Sequence, residues 1–171
     1  MDQDTPLGGP RDTSPGMHRN TAAIADTLAR VAPGAELRTF GASTRTAADA
    51  AAALGCELGA IASSLVFMAG SEPVLIMTSG AHRVDLERVA ALAGLPPLRR
   101  ATPGEVRAAT GQPIGGVAPL GHPAPLRTLV DVDLSAYETI WAAAGTPHAV
   151  FSTTYSQLLA ITGGSPVQVA N

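Results

Sequence analysis

Few residues in this chain have side chains suited to chemistry, and most of those stand apart from one another. The segment 111–123, GQPIGGVAPLGHP, is the densest exception, with Gly111, Gly115, Gly116 and Gly121 interleaved with three prolines. Glycine lets a backbone approach a ligand closely and proline stiffens the path. Such a loop can aim N–H groups at a carbonyl oxygen or a phosphate, or simply connect two elements over the surface. It matches neither G-x-G-x-x-G nor a P-loop. Ser63 and Ser64 interrupt an apolar run, where small hydroxyls can bond nearby backbone. No G-x-S-x-G elbow accompanies them. His18, His82, His122 and His148 lack H-x-x-H or H-E-x-x-H spacing, so neither a metal site nor a cofactor is expected. His122 adjoins the Gly/Pro loop and is the histidine with the best claim to a binding role, the alternative being a turn histidine. Asp131 and Asp133 read as a solvated turn at a strand end rather than an acid–base pair, and Cys56 as an inert packed thiol.

Charge narrows the classes further. All 11 basic residues are arginine, and lysine is absent. That excludes a Walker A loop, Schiff-base chemistry and S-x-x-K hydrolases within this chain. Arg99, Arg100, Arg107 and Arg127 fall around the helix entering the loop and the strand after it. Arg83 and Arg88 are assigned to the preceding helix. They suit bidentate phosphate contact, or else solvated faces paired with Asp85, Glu87 and Glu105. A net charge of −3 and a pI near 5.7 argue against bulk electrostatic binding of nucleic acid, leaving room for a small contact.

Hydrophobic residues at 46% and charged residues at 15% exclude general disorder, and 171 residues suffice for one ordinary core. No apolar run reaches a membrane-spanning length. One cysteine allows neither an internal disulfide nor a Cys-rich zinc site. No basic N-region precedes an apolar stretch, so the expected setting is soluble and cytoplasmic.

Several elements must position these residues. Residues 1–16, rich in Asp, Pro and Gly, read as a flexible leader, and 17–171 as one domain. Asn20 can cap a helix with the stripe Ile24, Leu28, Val31. Thr46 precedes a second helix closed by Gly55. Leu86, Val89, Ala90 and Ala93 mark a third, closed by Gly94. Thr102-Pro103-Gly104-Glu105 reads as a capping box with proline at the first helical position, closed by Gly111. A short helix is predicted over 154–161. Strands are predicted over 35–40, 61–68, 74–78, 126–132, 139–144 and 149–152, with an edge strand over 167–170. The order is neither strictly alternating nor all-β. It implies a mixed α/β, or α+β, domain around a central sheet.

The stretch from Thr46 to Gly164 resembles the YbaK/EbsC family of aminoacyl-tRNA deacylases, related to the editing domain of bacterial prolyl-tRNA synthetases. The resemblance is carried by TAADAAAALGCELGAIASSLVF, VLIMTSGAHRVDLERVAALAG, RRATPGEVRAATGQPIGGVAPLGHP, LVDVDL and GTPHAVFSTTYSQLLAITGG, in that order. It implies a curved, mostly antiparallel sheet flanked by helices and a pocket for the 3′ end of a mischarged tRNA. It implies hydrolysis of the ester between a wrong, small amino acid and the terminal ribose, on prolyl-tRNA for example. An aminoacyl-tRNA synthetase is an implied partner. The family's G-x-x-x-P loop maps onto Gly115, Gly116, Val117, Ala118 and Pro119. Ser63, Gly115 and Gly116 are then the candidate catalytic residues, and Ser64, Val117, Ala118, Pro119, His122 and Arg83 the candidate substrate-binding residues.

One departure separates the chain from active relatives, which usually carry Lys where Ser63 stands. Two function classes follow. The first is a free-standing deacylase in which Ser63 or Ser64 orients the substrate and backbone N–H groups stabilise the oxyanion. The second is a non-catalytic module that binds an aminoacyl-tRNA end, a nucleotide-like ligand or a protein partner.

Overall fold

A computed structural model describes residues 18–41 and 46–170; the segment read as a leader, 1–16, lies outside them. The helices are α1 (Arg19–Val31), α2 (Ala47–Leu54), α3 (Leu86–Ala93), α4 (Pro103–Thr110) and α5 (Tyr155–Thr162). The strands are β1 (Leu37–Thr39), β2 (Ile61–Ala69), β3 (Glu72–Ser79), β4 (Leu98–Arg100), β5 (Arg127–Asp131), β6 (Ile140–Ala143), β7 (Ala149–Thr153) and β8 (Ser165–Val167). None of the described helices is long and apolar enough to cross a membrane.

Helix ends follow local side-chain chemistry. Thr46 Oγ1 accepts the Asp49 N–H at 3.1 Å. Thr102 and Glu105 form the full reciprocal capping box, at 3.1 and 2.9 Å. Asp85 caps α3 by accepting the Arg88 N–H at 3.1 Å. The cap of α1 is His18 rather than Asn20, its Nδ1 accepting the Asn20 N–H at 3.0 Å. Asn20 is already inside the helix, and its side-chain amide donates to the Gly145 carbonyl at 3.1 Å. A long-range acceptor thus outcompetes the local capping role.

The strands form one eight-stranded sheet in the order β1-β7-β6-β2-β3-β5-β8, with β4 added to β2. Antiparallel pairings predominate: β1–β7, β2–β3, β2–β4 and β6–β7, against parallel β2–β6, β3–β5 and β5–β8. Alternation along β3 distributes the core between the two faces. Leu75 and Met77 join Ile24 and Leu28 of α1, Val106 of α4 and Leu158 of α5. Val74 and Ile76 join Phe67, Leu129 and Val89 of α3. Ala50 and Ala51 of α2 pack on Ile61, Trp141 and Val150.

The final strand begins two residues earlier than its apolar run suggests, because Ser165 and Pro166 pair with Leu129 and Val130. Strand β4 carries no alternation in its three residues, yet its register against β2 places Arg100 opposite Phe67.

Candidate functional site

β2 is paired to β3 along eight residues, from Ala62↔Ser79 to Ala69↔Glu72. Its other edge is shared by two short strands. β6 covers Ile61 and Ala62, and β4 covers Phe67 to Ala69, so among the described residues no strand pairs with Ser63, Ser64 or Leu65 on that side. Peptide groups of successive strand residues point to opposite edges. The Ile61 carbonyl accepts from Gly80 beyond β3, whereas the Val66 carbonyl accepts from Ala101 beyond β4. Ser64 shares the parity of Val66. Its N–H and C=O therefore point into the gap between β6 and β4.

A cavity of about 360 Å³ opens over this gap. Its walls come from α2, from Trp141 and Val150, and from Ile114, Gly115 and Val117 of the Gly/Pro loop. They are mostly apolar. Ser63 lines the cavity on the same sheet face as Ile61, while the Ser64 hydroxyl turns to the opposite face and donates to Met77 Sδ at 3.2 Å. Ser64 is thus available to a ligand through its backbone, and Ser63 through its hydroxyl. Among the described residues, Arg100 is the single titratable one lining the cavity.

The Gly/Pro loop is held from behind by polar contacts. Gln112, 4% exposed, accepts the Ala118 N–H at 2.6 Å and donates to the Leu120 carbonyl at 3.4 Å. The Nε2–H of His122 donates to the Ala118 carbonyl at 2.8 Å. Burial depresses the His122 pKa, partly opposed by that hydrogen bond. Gly115 faces the cavity with a φ of 87°, a left-handed conformation that favours glycine. Gly116 is packed instead: a Cβ there would come within 2.5 Å of the Thr146 backbone. The close approach that needs this glycine is to protein, not to ligand.

Of the residues singled out in the sequence, the fold brings Ser63, Ser64, Gly115 and Val117 to the cavity. Gly116, Ala118, Pro119 and His122 form the body of the loop behind that wall. Arg83 is not on a helix but exposed in the segment between β3 and α3. Sequence reasoning missed Arg100 as a lining residue, since only the pairing of β4 with β2 puts it there. Cys56 is partly buried against the α2 cluster, and burial raises its thiol pKa.

Asp131 is not in a solvated turn. It is 1% exposed and accepts from the Ser79 N–H at 2.9 Å, the Asp133 N–H at 3.0 Å and the Thr78 hydroxyl at 3.4 Å. His82 Nδ1 lies 2.8 Å from the same carboxylate, and His82 Nε2 lies 3.2 Å from Asp133. The ligand atoms of these three residues fall within 4.8 Å of one another, a grouping that sequence spacing did not reveal. Their polar atoms are engaged with each other and with the end of β3, so the cluster ties β3 to the turn after β5.

Residues 42–161 match the family model of the aminoacyl-tRNA editing domain. The uncharacterized protein YwhH of Bacillus subtilis is 31% identical over 124 residues, covering 72% of this chain and 78% of that protein. A proline–tRNA ligase of Nitratidesulfovibrio vulgaris is 33% identical over 100 residues, which are 58% of this chain but 17% of the ligase. The crystal structure of a proposed trans-editing enzyme for prolyl tRNA synthetase superposes with a TM-score of 0.84 at 41% identity, covering 91% of this chain and 99% of that one. The chain belongs to the aminoacyl-tRNA editing domain family.

Proposed function

We propose that the protein is a free-standing deacylase that hydrolyses the ester of a mischarged aminoacyl-tRNA. The observation carrying this reading is the unpaired edge of β2. The Ser64 N–H and C=O point there into a largely apolar cavity faced by Gly115 and Val117. The N–H supplies a donor for the oxyanion that develops on the ester carbonyl, and the C=O an acceptor for the substrate's α-amino group. The Ser63 hydroxyl orients the ester by a neutral hydrogen bond. Water adds to the carbonyl carbon, the bond to the ribose oxygen breaks, and the proton passes to that oxygen. The vicinal ribose hydroxyl assists the water in place of a protein base. Products are free tRNA and free amino acid.

The apolar walls suit a small uncharged amino acid side chain, and the volume of about 360 Å³ leaves room beside it for the ester and part of the terminal nucleoside. Likeness to proline–tRNA ligases favours tRNA charged for proline as the carrier, and such a synthetase as the partner whose errors are cleared.

The second reading, a binder without catalysis, is favoured by one observation: among the described residues, no carboxylate, histidine or lysine lines the cavity. A panel of correctly and wrongly charged aminoacyl-tRNAs, including alanyl-tRNA for proline, separates the two. Loss of amino acid above the spontaneous rate is expected for at least one mischarged species. Binding without such loss would overturn the deacylase reading. Ser63→Ala should lower kcat/KM by about tenfold or less, the worth of one neutral hydrogen bond. Ser63→Lys should raise it by about tenfold, since a charged contact is the stronger.

A further inference from the structure

Arg100 has four features that no other arginine combines among the described residues. It is the charged side chain of the cavity wall. It is exposed, and its guanidinium makes no hydrogen bond or ion pair among the described residues; only its backbone carbonyl is used, accepting from the Arg99 guanidinium at 3.2 Å. Its register opposite Phe67 puts it on the sheet face that carries Ser63, because directly opposed residues of an antiparallel pair share a face. Ser63 and Phe67 are four residues apart, about 13 Å along the strand.

Its neighbour shows what an ordinary surface arginine does here. Arg99 points to the other face and is spent on a two-pronged contact with Glu105, at 2.8 and 2.9 Å. Arg38 pairs with Glu36, and Arg127 donates to the Ala93 carbonyl. Among the described residues, Arg100 alone carries an unspent guanidinium to the mouth of the cavity.

We propose that Arg100 binds a phosphate of the RNA 3′ end, fixing the terminal nucleotide while its ester lies over Ser63 and Ser64. The proposal rests on the deacylase reading for the identity of the ligand. The chemistry fits: guanidinium donors match phosphate oxygens in pairs and are weakly hydrated, so the contact holds at an exposed mouth. It also gives this lysine-free chain a cation at the site, at one end of the cavity rather than beside the ester. An acidic protein can then hold RNA through one local contact, without a basic surface.

The test uses the full chain and two probes: 3′-alanylamino-3′-deoxyadenosine, with and without a 5′-phosphate. The amide prevents turnover, so binding is read alone. The phosphate should tighten binding to the wild type by about tenfold or more, the worth of a charged hydrogen bond. Arg100→Gln should erase that gain and leave affinity for the unphosphorylated probe unchanged. Arg100→Lys should keep part of it, as a point charge without the fork. Melting temperatures of both variants should match the wild type, because the side chain has no partner to lose.

Equal affinity of the wild type for the two probes would overturn the proposal, as would a phosphate gain that survives in Arg100→Gln. Binding of neither probe would overturn it as well. An Arg100-dependent phosphate gain in a protein that deacylates no aminoacyl-tRNA would sustain the proposal and sink the deacylase reading. Deacylation indifferent to Arg100→Gln would do the reverse.

Discussion

The cavity over β2 and the corner around Asp131 of β5, with β3 between the two strands, use polar groups in opposite ways. The corner gathers the residues that look chemical: a buried carboxylate, a histidine and a second aspartate within 4.8 Å. Almost every donor and acceptor there is already met by another part of the protein. The cavity holds a serine hydroxyl, one strand residue's peptide groups and a guanidinium, none of which names a reaction by itself. There the hydrogen-bonding capacity is unspent. On the proposed reading, function in this molecule is marked by what remains unpaired, and residue type is a poor guide.

The comparison can be broken most directly at Asp131. Asp131→Ala strips the acceptor from four donors, the Ser79 and Asp133 N–H groups, the Thr78 hydroxyl and His82 Nδ1, and should cost about 3–5 kcal/mol, read by urea denaturation. Activity per folded molecule should stay near wild type. A stable variant with lost activity would place the corner in the site. Gly116→Val comes next: its side chain collides with the Thr146 backbone and should cost about 1–3 kcal/mol, visible as a lower melting temperature. If turnover vanished at unchanged stability, the loop would be meeting ligand at Gly116 instead.

The loop can also be probed by pH. Burial holds the His122 pKa below its ordinary 6.5, so the unfolded chain takes up this proton more readily than the native one. Stability from the neutral ring is therefore present above about pH 6.5 and is lost as pH falls toward the native value. The His122→Gln variant should show a shallower fall in melting temperature between pH 7 and 5 than the wild type; identical profiles would remove His122 from the loop's support. The smallest effect belongs to Glu105. The Arg99 guanidinium, with the Thr102 N–H, holds its carboxyl down to about 2 from 4.5. The difference in melting temperature between wild type and Glu105→Gln should be full above pH 4.5 and shrink as pH falls toward 2. A difference that persisted at pH 2 would mean packing rather than charge.

Legibility in the sequence followed the range of the interactions. Thr102 and Glu105 announced α4 because a capping box closes within four residues, and Gly55, Gly94 and Gly111 ended helices for an equally local reason. Ser63 and Gly115 were singled out by composition and by the family's loop, and both line the cavity. The gap itself could not be read, because it depends on where two distant short strands stop along β2. Arg100 was hidden with it, since three residues without alternation do not advertise a strand. Asp131 was misread because its partners Ser79 and His82 lie about fifty positions away. Asn20 failed as a cap for the same reason, its amide being claimed by Gly145.

The one-sided pairing of β2 has a consequence for how its protons trade with solvent. Amides of Ser63 and Leu65 are locked against β3, while that of Ser64 opens on the cavity. Hydrogen exchange along this strand should therefore alternate, with a fast residue between two slow neighbours. A ligand seated on the edge would slow Ser64 and leave the others as they were. The strand thus carries its own occupancy gauge, readable one residue at a time without label or turnover.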